Sequence, residues 1–133
     1  MNILLVDDDP TISQCVEYAL EGMDAEVQTA KDGAEGLELA NNMTGLRDNP
    51  CPDVVLLDLN MPRVDGPEFL REFRKHPVCR HVPVIIFSAS NSVRDYRRLQ
   101  GLEISGIFPK PVSIEDYRPL GSMIRAALEK RAA

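Results

Sequence analysis

Hydrophobic positions along the chain fall into two alternating patterns: short continuous apolar runs, and longer stretches where apolar residues return every three or four positions. The clearest runs are Ile3-Leu4-Leu5-Val6, Val54-Val55-Leu56-Leu57 and Val84-Ile85-Ile86-Phe87. Unbroken apolar character over so few residues fits a strand covered on both faces, as in a parallel sheet sandwiched between helices. Ala25 to Ala30 alternates weakly and predicts an edge strand, and Ile104 to Phe108, interrupted by Gly106, predicts a short last one. Between the runs, helical spacing recurs in Ile12, Cys15, Val16, Ala19 and Leu20, then in Ala34, Leu37, Leu39 and Ala40, then in Phe69, Leu70 and Phe73. Each set gives a helix one apolar face. Val93 to Leu102 predicts a short helix with a thin apolar face, and Ile114, Tyr117, Leu120, Ile124, Ala127 and Leu128 predict a longer final one.

Turn-forming residues divide the elements. Asp9-Pro10 starts the first helix, since aspartate caps a helix well and proline is tolerated at its first position. Gly22 stops it, and Lys31-Asp32-Gly33 is a turn before the second helix. Thr44 to Pro52, with Gly45, Asn49, Pro50 and Pro52, predicts a surface loop, and Asn60 to Gly66 predicts another. The third helix begins near Pro67 and ends by Pro77, because the residue before proline is pushed out of helical geometry. Pro119 sits within the last helical pattern, so that helix either kinks there or begins there. The resulting order, strand then helix repeated five times, predicts an α/β domain with a five-stranded parallel sheet, helices on both faces and right-handed crossovers. A length of 133 residues fits one domain over 1–133, with no output domain expected.

Composition narrows the function classes. A formal net charge of -6 opposes nucleic acid as a general partner, because phosphate binding needs a basic surface. Arg94, Arg97 and Arg98 form the one notable basic cluster and read as a solvated helix face. No apolar stretch approaches the roughly 20 residues of a membrane helix, and no leader pattern precedes the first strand, so a cytoplasmic protein away from the membrane is expected. The 3 cysteines, odd in number and without paired spacing, predict reduced thiols, with Cys15 on the core face of the first helix. His76-Pro77-Val78-Cys79-Arg80-His81 fits no zinc spacing and reads as the close of a helix.

The strand ends carry the candidate chemistry. Asp7, Asp8 and Asp9 follow the first strand, Asp58 the third, Ser88 the fourth and Lys110 the fifth, so in a parallel sheet they gather at one edge. That edge is where open α/β sheets bind ligands. Each residue has a plainer role available: Asp8 or Asp9 as a helix cap, Ser88 as a structural hydroxyl. Together they form a set, since like-charged carboxylates that converge need a cation or protons. Carboxylates are hard ligands suited to magnesium, which keeps several waters and takes one or two carboxylates with a phosphate. A lysine and a hydroxyl complete what an in-line phosphoryl transfer to a carboxylate requires.

These residues, in this order, resemble the receiver domain of two-component response regulators. The resemblance runs through Leu4-Leu5-Val6-Asp7-Asp8-Asp9-Pro10, Leu57-Asp58-Leu59-Asn60-Met61-Pro62, Phe87-Ser88-Ala89 and Lys110-Pro111, and so covers essentially the whole chain. It implies a flavodoxin-like, doubly wound (βα)5 fold. It further implies Asp58 as phosphoacceptor, Asp7 and Asp8 with Asp58 and the Asn60 carbonyl around Mg2+, Ser88 against the phosphoryl group, Lys110 bridging to it, and a cis Lys110–Pro111 bond. A sensor histidine kinase or a histidine phosphotransfer protein would donate the phosphoryl group, and a downstream protein would read the result. Catalysis would be limited to the domain's own phosphorylation and dephosphorylation, so it is not expected to be an enzyme.

Three features depart from the family's usual pattern. Ile107 stands where a switching tyrosine or phenylalanine is usual, the Thr44–Pro52 loop is long, and Pro119 alters the final helix, part of a face commonly used for partners. Other classes fit less well. A magnesium-dependent phosphatase with an aspartyl nucleophile would place a second aspartate where Asn60 stands, and would carry a cap domain. A dinucleotide enzyme would need a glycine-rich loop where Asp7-Asp8-Asp9-Pro10 stands. A phosphorylation-independent interaction module on the same fold remains the alternative, favoured by Ile107 and opposed by the complete acid, hydroxyl and lysine set.

Overall fold

A computed structural model describes residues 1–43, 51–59, 61, 65–88 and 96–132. Its strands are β1 (Asn2–Val6), β2 (Glu26–Ala30), β3 (Val54–Asp58), β4 (Val84–Ser88) and β5 (Gly106–Pro109), and its helices are α1 (Pro10–Ala19), α2 (Gly33–Met43), α3 (Gly66–Arg74) and α4 (Pro119–Ala132). The five strands form one parallel sheet in the order β2-β1-β3-β4-β5. This is the doubly wound, flavodoxin-like arrangement, with the weakly apolar β2 at an edge.

The alternation of side chains along each strand divides the core in two. Leu4, Val6, Val55, Leu57, Val84 and Ile86 face one layer, packed with Phe69, Leu70 and Phe73 of α3. Ile3, Leu5, Val54, Leu56, Ile85, Phe87 and Phe108 face the other, packed with Ile12 and Val16 of α1 and Leu120 and Ile124 of α4. The three central strands are therefore covered on both sides, which is why their sequences show no polar alternation.

Helix starts follow the local chemistry. The Asp9 carboxylate caps α1 by accepting from the Thr11 backbone N–H at 3.0 Å and its hydroxyl at 2.8 Å. Before α4 the chain makes a 3₁₀ turn at Ile114–Tyr117, and Pro119 is the first residue of the helix. That position suits proline, whose missing N–H would have no partner there. Tyr96 and Arg97 are helical, and the chain then turns through residues 98–101 to end near Gly101, whose φ of +79° favours glycine. Residues 44–50 of the first expected loop, 60 and 62–64 of the second, and 93–95 of the expected fourth helix lie outside the described residues.

Two expectations are corrected. Cys51 and Cys79 form a disulfide, leaving Cys15 free and half-buried. The fold brings the start of β3 against the turn between α3 and β4, so the two Cα atoms sit 5.5 Å apart despite a separation of 28 residues. The Lys110–Pro111 bond is trans, there being no cis bond among the described residues. Trans is the lower-energy isomer before proline, and with it the lysine already reaches the carboxylates described next.

Candidate functional site

The sequence-predicted groups meet at the carboxyl edge of the sheet. β1 delivers Asp7, whose backbone N–H donates to the Ala30 carbonyl at 2.9 Å. β3 ends on Asp58 and β4 on Ser88, both buried. β5 leads to Lys110, whose backbone N–H donates to the Ser88 carbonyl at 2.9 Å and so fixes the lysine beside β4. From there the Lys110 ammonium reaches Asp7 Oδ2 at 2.9 Å and Asp58 Oδ1 at 3.5 Å. Asp7, Asp8 and Asp58 each offer a carboxylate oxygen within 4.8 Å of the others. The backbone N–H of Asp9 donates to Asp7 Oδ1 at 2.9 Å, while the Asp9 side chain turns to the α1 cap. Among the three consecutive acids, the first two therefore join the cluster and the third starts the helix. Asn60 lies outside the described residues, as do Ala89 and Ser90.

The electrostatics follow from burial. Desolvation lifts the Asp7 carboxyl above its ordinary value, with the Asp8 charge adding to the rise and the Asp9 N–H and Lys110 opposing it. Burial alone would lower Lys110, but Asp7 and Asp58 outweigh it and hold the ammonium above its ordinary value. Asp7 Oδ2 is fully buried, and the Lys110 ammonium at 2.9 Å is its ion-pair partner. Three carboxylates, each offering a hard oxygen donor within 4.8 Å of the others, fit a divalent metal such as magnesium.

Two residues that sequence reasoning passed over support this edge. Asp65 caps α3 by accepting from the Glu68 N–H at 3.1 Å, and it pairs with Arg98 across the surface. Gly66 follows, and a Cβ there would meet the Asp58 carbonyl oxygen at 2.5 Å, so only glycine lets α3 start so close to the end of β3. The Asp65-Gly66-Pro67 triplet, a cap followed by proline near the first helical position, signals the start of α3 in the sequence but not the close approach that requires glycine.

Ile107 is half-buried and packs with the core layer that contains α3. Phe108 points to the opposite layer and joins Phe87 and Tyr117 in an aromatic cluster with ring centroids 5.7 to 6.4 Å apart. His76, set aside as a metal ligand, has its Nδ1 accepting the Val78 and Cys79 N–H groups at 3.1 and 3.0 Å. It holds the turn after α3.

Comparison with known proteins agrees with this geometry. The pattern of the response regulator receiver domain family matches residues 3–119. The DNA-binding dual master transcriptional regulator RpaA of Synechocystis is 32% identical over 130 residues, which cover 96% of this chain and 49% of that protein. The chain thus spans about half the length of RpaA and of the mycobacterial response regulator MprA. Among solved structures, the phosphorylated cyanobacterial phytochrome response regulator RcpA superposes with a TM-score of 0.82 at 26% identity, covering 97% of this chain and 94% of that one. The Mn(2+)-bound form of response regulator Rcp1 superposes with a TM-score of 0.74 at 28% identity, covering 94% and 91%. Fold, strand-end residues and family pattern coincide over nearly the whole sequence: the chain belongs to the response regulator receiver domain family.

Proposed function

We propose that this domain is a phosphoacceptor in a two-component phosphorelay, taking a phosphoryl group from a sensor histidine kinase or histidine phosphotransfer protein onto Asp58. The observation that carries the reading is the shared lysine: Lys110 lies within ion-pair distance of both Asp7 and Asp58 at the sheet edge where Ser88 also ends its strand. An Asp58 carboxylate oxygen attacks phosphorus in line, an O–P bond forms, and the P–N bond to the donor imidazole breaks. Lys110 offsets the charge that accumulates on the phosphoryl oxygens, and the Ser88 hydroxyl donates to one of them. Asp7, Asp8 and Asp58 would hold Mg2+, with the Asn60 carbonyl as the further ligand that family membership implies. When bound, the metal supplies positive charge against the phosphoryl oxygens. That the similar response regulator Rcp1 has a Mn(2+)-bound form supports a divalent ion for this domain.

Phosphorylation changes the partners of Lys110. In the unmodified domain the ammonium is divided between two carboxylates; a phosphoryl group on Asp58 competes for it and for the Ser88 hydroxyl, which biases the segments after β4 and β5. A downstream protein reads that change, and the net charge of -6 disfavours direct contact with nucleic acid. The domain acts in the cytoplasm and turns over no substrate beyond its own phosphoryl group; among the described residues no helix is long and apolar enough to cross a membrane. Ile107 replaces the aromatic side chain usual at its position, which supports the second reading, a module that signals by binding alone.

Intact mass after incubation with acetyl phosphate separates the two readings. A phosphoryl-sized gain that needs magnesium and is absent in Asp58→Asn is expected. No gain in the wild type, under conditions that label another receiver, would favour the binding module.

A further inference from the structure

The end of the sheet opposite the carboxylates holds a feature that phosphoryl transfer does not use. Cys51 precedes β3, Cys79 lies in the turn between α3 and β4, and both are buried in the same core layer, at 5% and 0% exposure. Their bond clasps the starts of the two strands that finish at Asp58 and Ser88.

The surrounding structure also ties these segments together through hydrogen bonds that do not involve the sulfurs. The Asp53 carboxylate accepts the Asn2 N–H at 2.7 Å, and the Val55 N–H donates to the Pro83 carbonyl at 2.9 Å. His76 Nδ1 caps the turn, and the Arg74 guanidinium donates to the Arg80, Val82 and Glu103 carbonyls. A chain of 133 residues with two apolar layers does not depend on a staple to fold. Reduced cysteines are among the most readily buried side chains, so the same fold accommodates either sulfur state.

From this we infer that Cys51–Cys79 is a reversible redox modification site, a disulfide that a vicinal-dithiol protein opens and closes on the folded domain. Both cysteines are buried, so exchange proceeds through local opening of the turn before β4; a thiolate of the dithiol then attacks Cys51 Sγ, Cys51 being the less buried residue at 5% against 0%. A mixed disulfide forms, and Cys79 leaves as a thiolate that takes up a proton. The second thiol of the partner, as thiolate, then attacks the mixed disulfide at its own first sulfur and releases Cys51, which is protonated in turn. Overall the protein disulfide gains two electrons and two protons, and the dithiol is oxidised to its disulfide. The disulfide form of the same partner drives the reverse.

The test uses the Cys15→Ser protein, so that only this pair reports. The oxidised domain is treated, without denaturant, with a reduced Cys-x-x-Cys protein or with dithiothreitol. Thiols are trapped with N-ethylmaleimide and counted by intact mass, and circular dichroism and amide exchange are followed alongside. Expected are two trapped thiols with the secondary structure retained, a thermal midpoint lower by about 10 °C, about tenfold faster exchange in residues 75–83, and full recovery on reoxidation. Thiols that appear only in denaturant, or a reduced form without secondary structure, would make the bond a fixed staple and overturn the proposal. The double variant Cys51→Ala/Cys79→Ala is expected to fold with the midpoint of the reduced form; if it does not fold, the proposal fails in the same way. None of these readouts requires phosphorylation, so they stand apart from the phosphoacceptor reading.

Discussion

At the amino end of the sheet Arg74 spreads one guanidinium over three backbone carbonyls and a disulfide joins β3 to the turn before β4. At the carboxyl end one ammonium is divided between two buried carboxylates, with a third carboxylate close by. Both regions bury charge, but they treat it differently. Arg74 loses some basicity to burial and is held by hydrogen bonds to the Arg80, Val82 and Glu103 carbonyls. Asp7 is lifted by burial, and its neighbours only partly offset that cost. The same strands run through both ends, so strand quality does not explain the contrast. On the proposed reading, charge left incompletely compensated at the edge where α/β sheets bind ligands would be completed by a cation or a transferred group.

The contrast can be broken from either end. The largest effect expected is on Lys110→Met, which removes the cation proposed to face the phosphoryl oxygens. Labelling by acetyl phosphate, followed by intact mass over time, should slow by about 100-fold; an unchanged rate would remove lysine from the chemistry. At the opposite end, Arg74→Met should lower unfolding free energy by about 2 kcal/mol, allowing for the partial exposure of that side chain. Its labelling rate should stay within a small factor of wild type, and urea titration together with the same mass assay checks both halves.

The smallest effect has the opposite sign. Because the folded pKa of Asp7 lies above its ordinary 3.8, the stability its neutral form contributes is full below that value and is lost as pH rises through the folded pKa. Asp7→Asn removes that loss, so the metal-free variant should be more stable than wild type at pH 7 by about 1 kcal/mol. The advantage should vanish in acid. Magnesium should raise the melting point of the wild type and leave the variant unmoved, and thermal scans across pH with and without the ion read both.

Much of this was written in the chain. Four aliphatics ending on Asp58, and the parallel run ending on Asp7, announced covered strands with acids at a ligand-binding edge, because a charge following such a run is costly unless paired. Asp9-Pro10 announced the start of α1 for an equally local reason. The Cys51–Cys79 pair was hidden because its 28-residue separation is closed only by tertiary structure, and an odd cysteine count pointed toward thiols. The cis bond expected before Pro111 came from resemblance alone, and the lysine reaches its partners without it. The role of Gly66 depends on how closely α3 approaches β3, a distance that no local pattern encodes.

The central claim concerns one carboxylate, and reductive trapping addresses it most directly. After incubation with acetyl phosphate and magnesium, borohydride converts an aspartyl phosphate to homoserine, and peptide mass spectrometry locates the converted residue. Homoserine at position 58, lost when magnesium is withheld, is the predicted result. Conversion at Asp7 or Asp8 instead, or at no residue, would contradict the account.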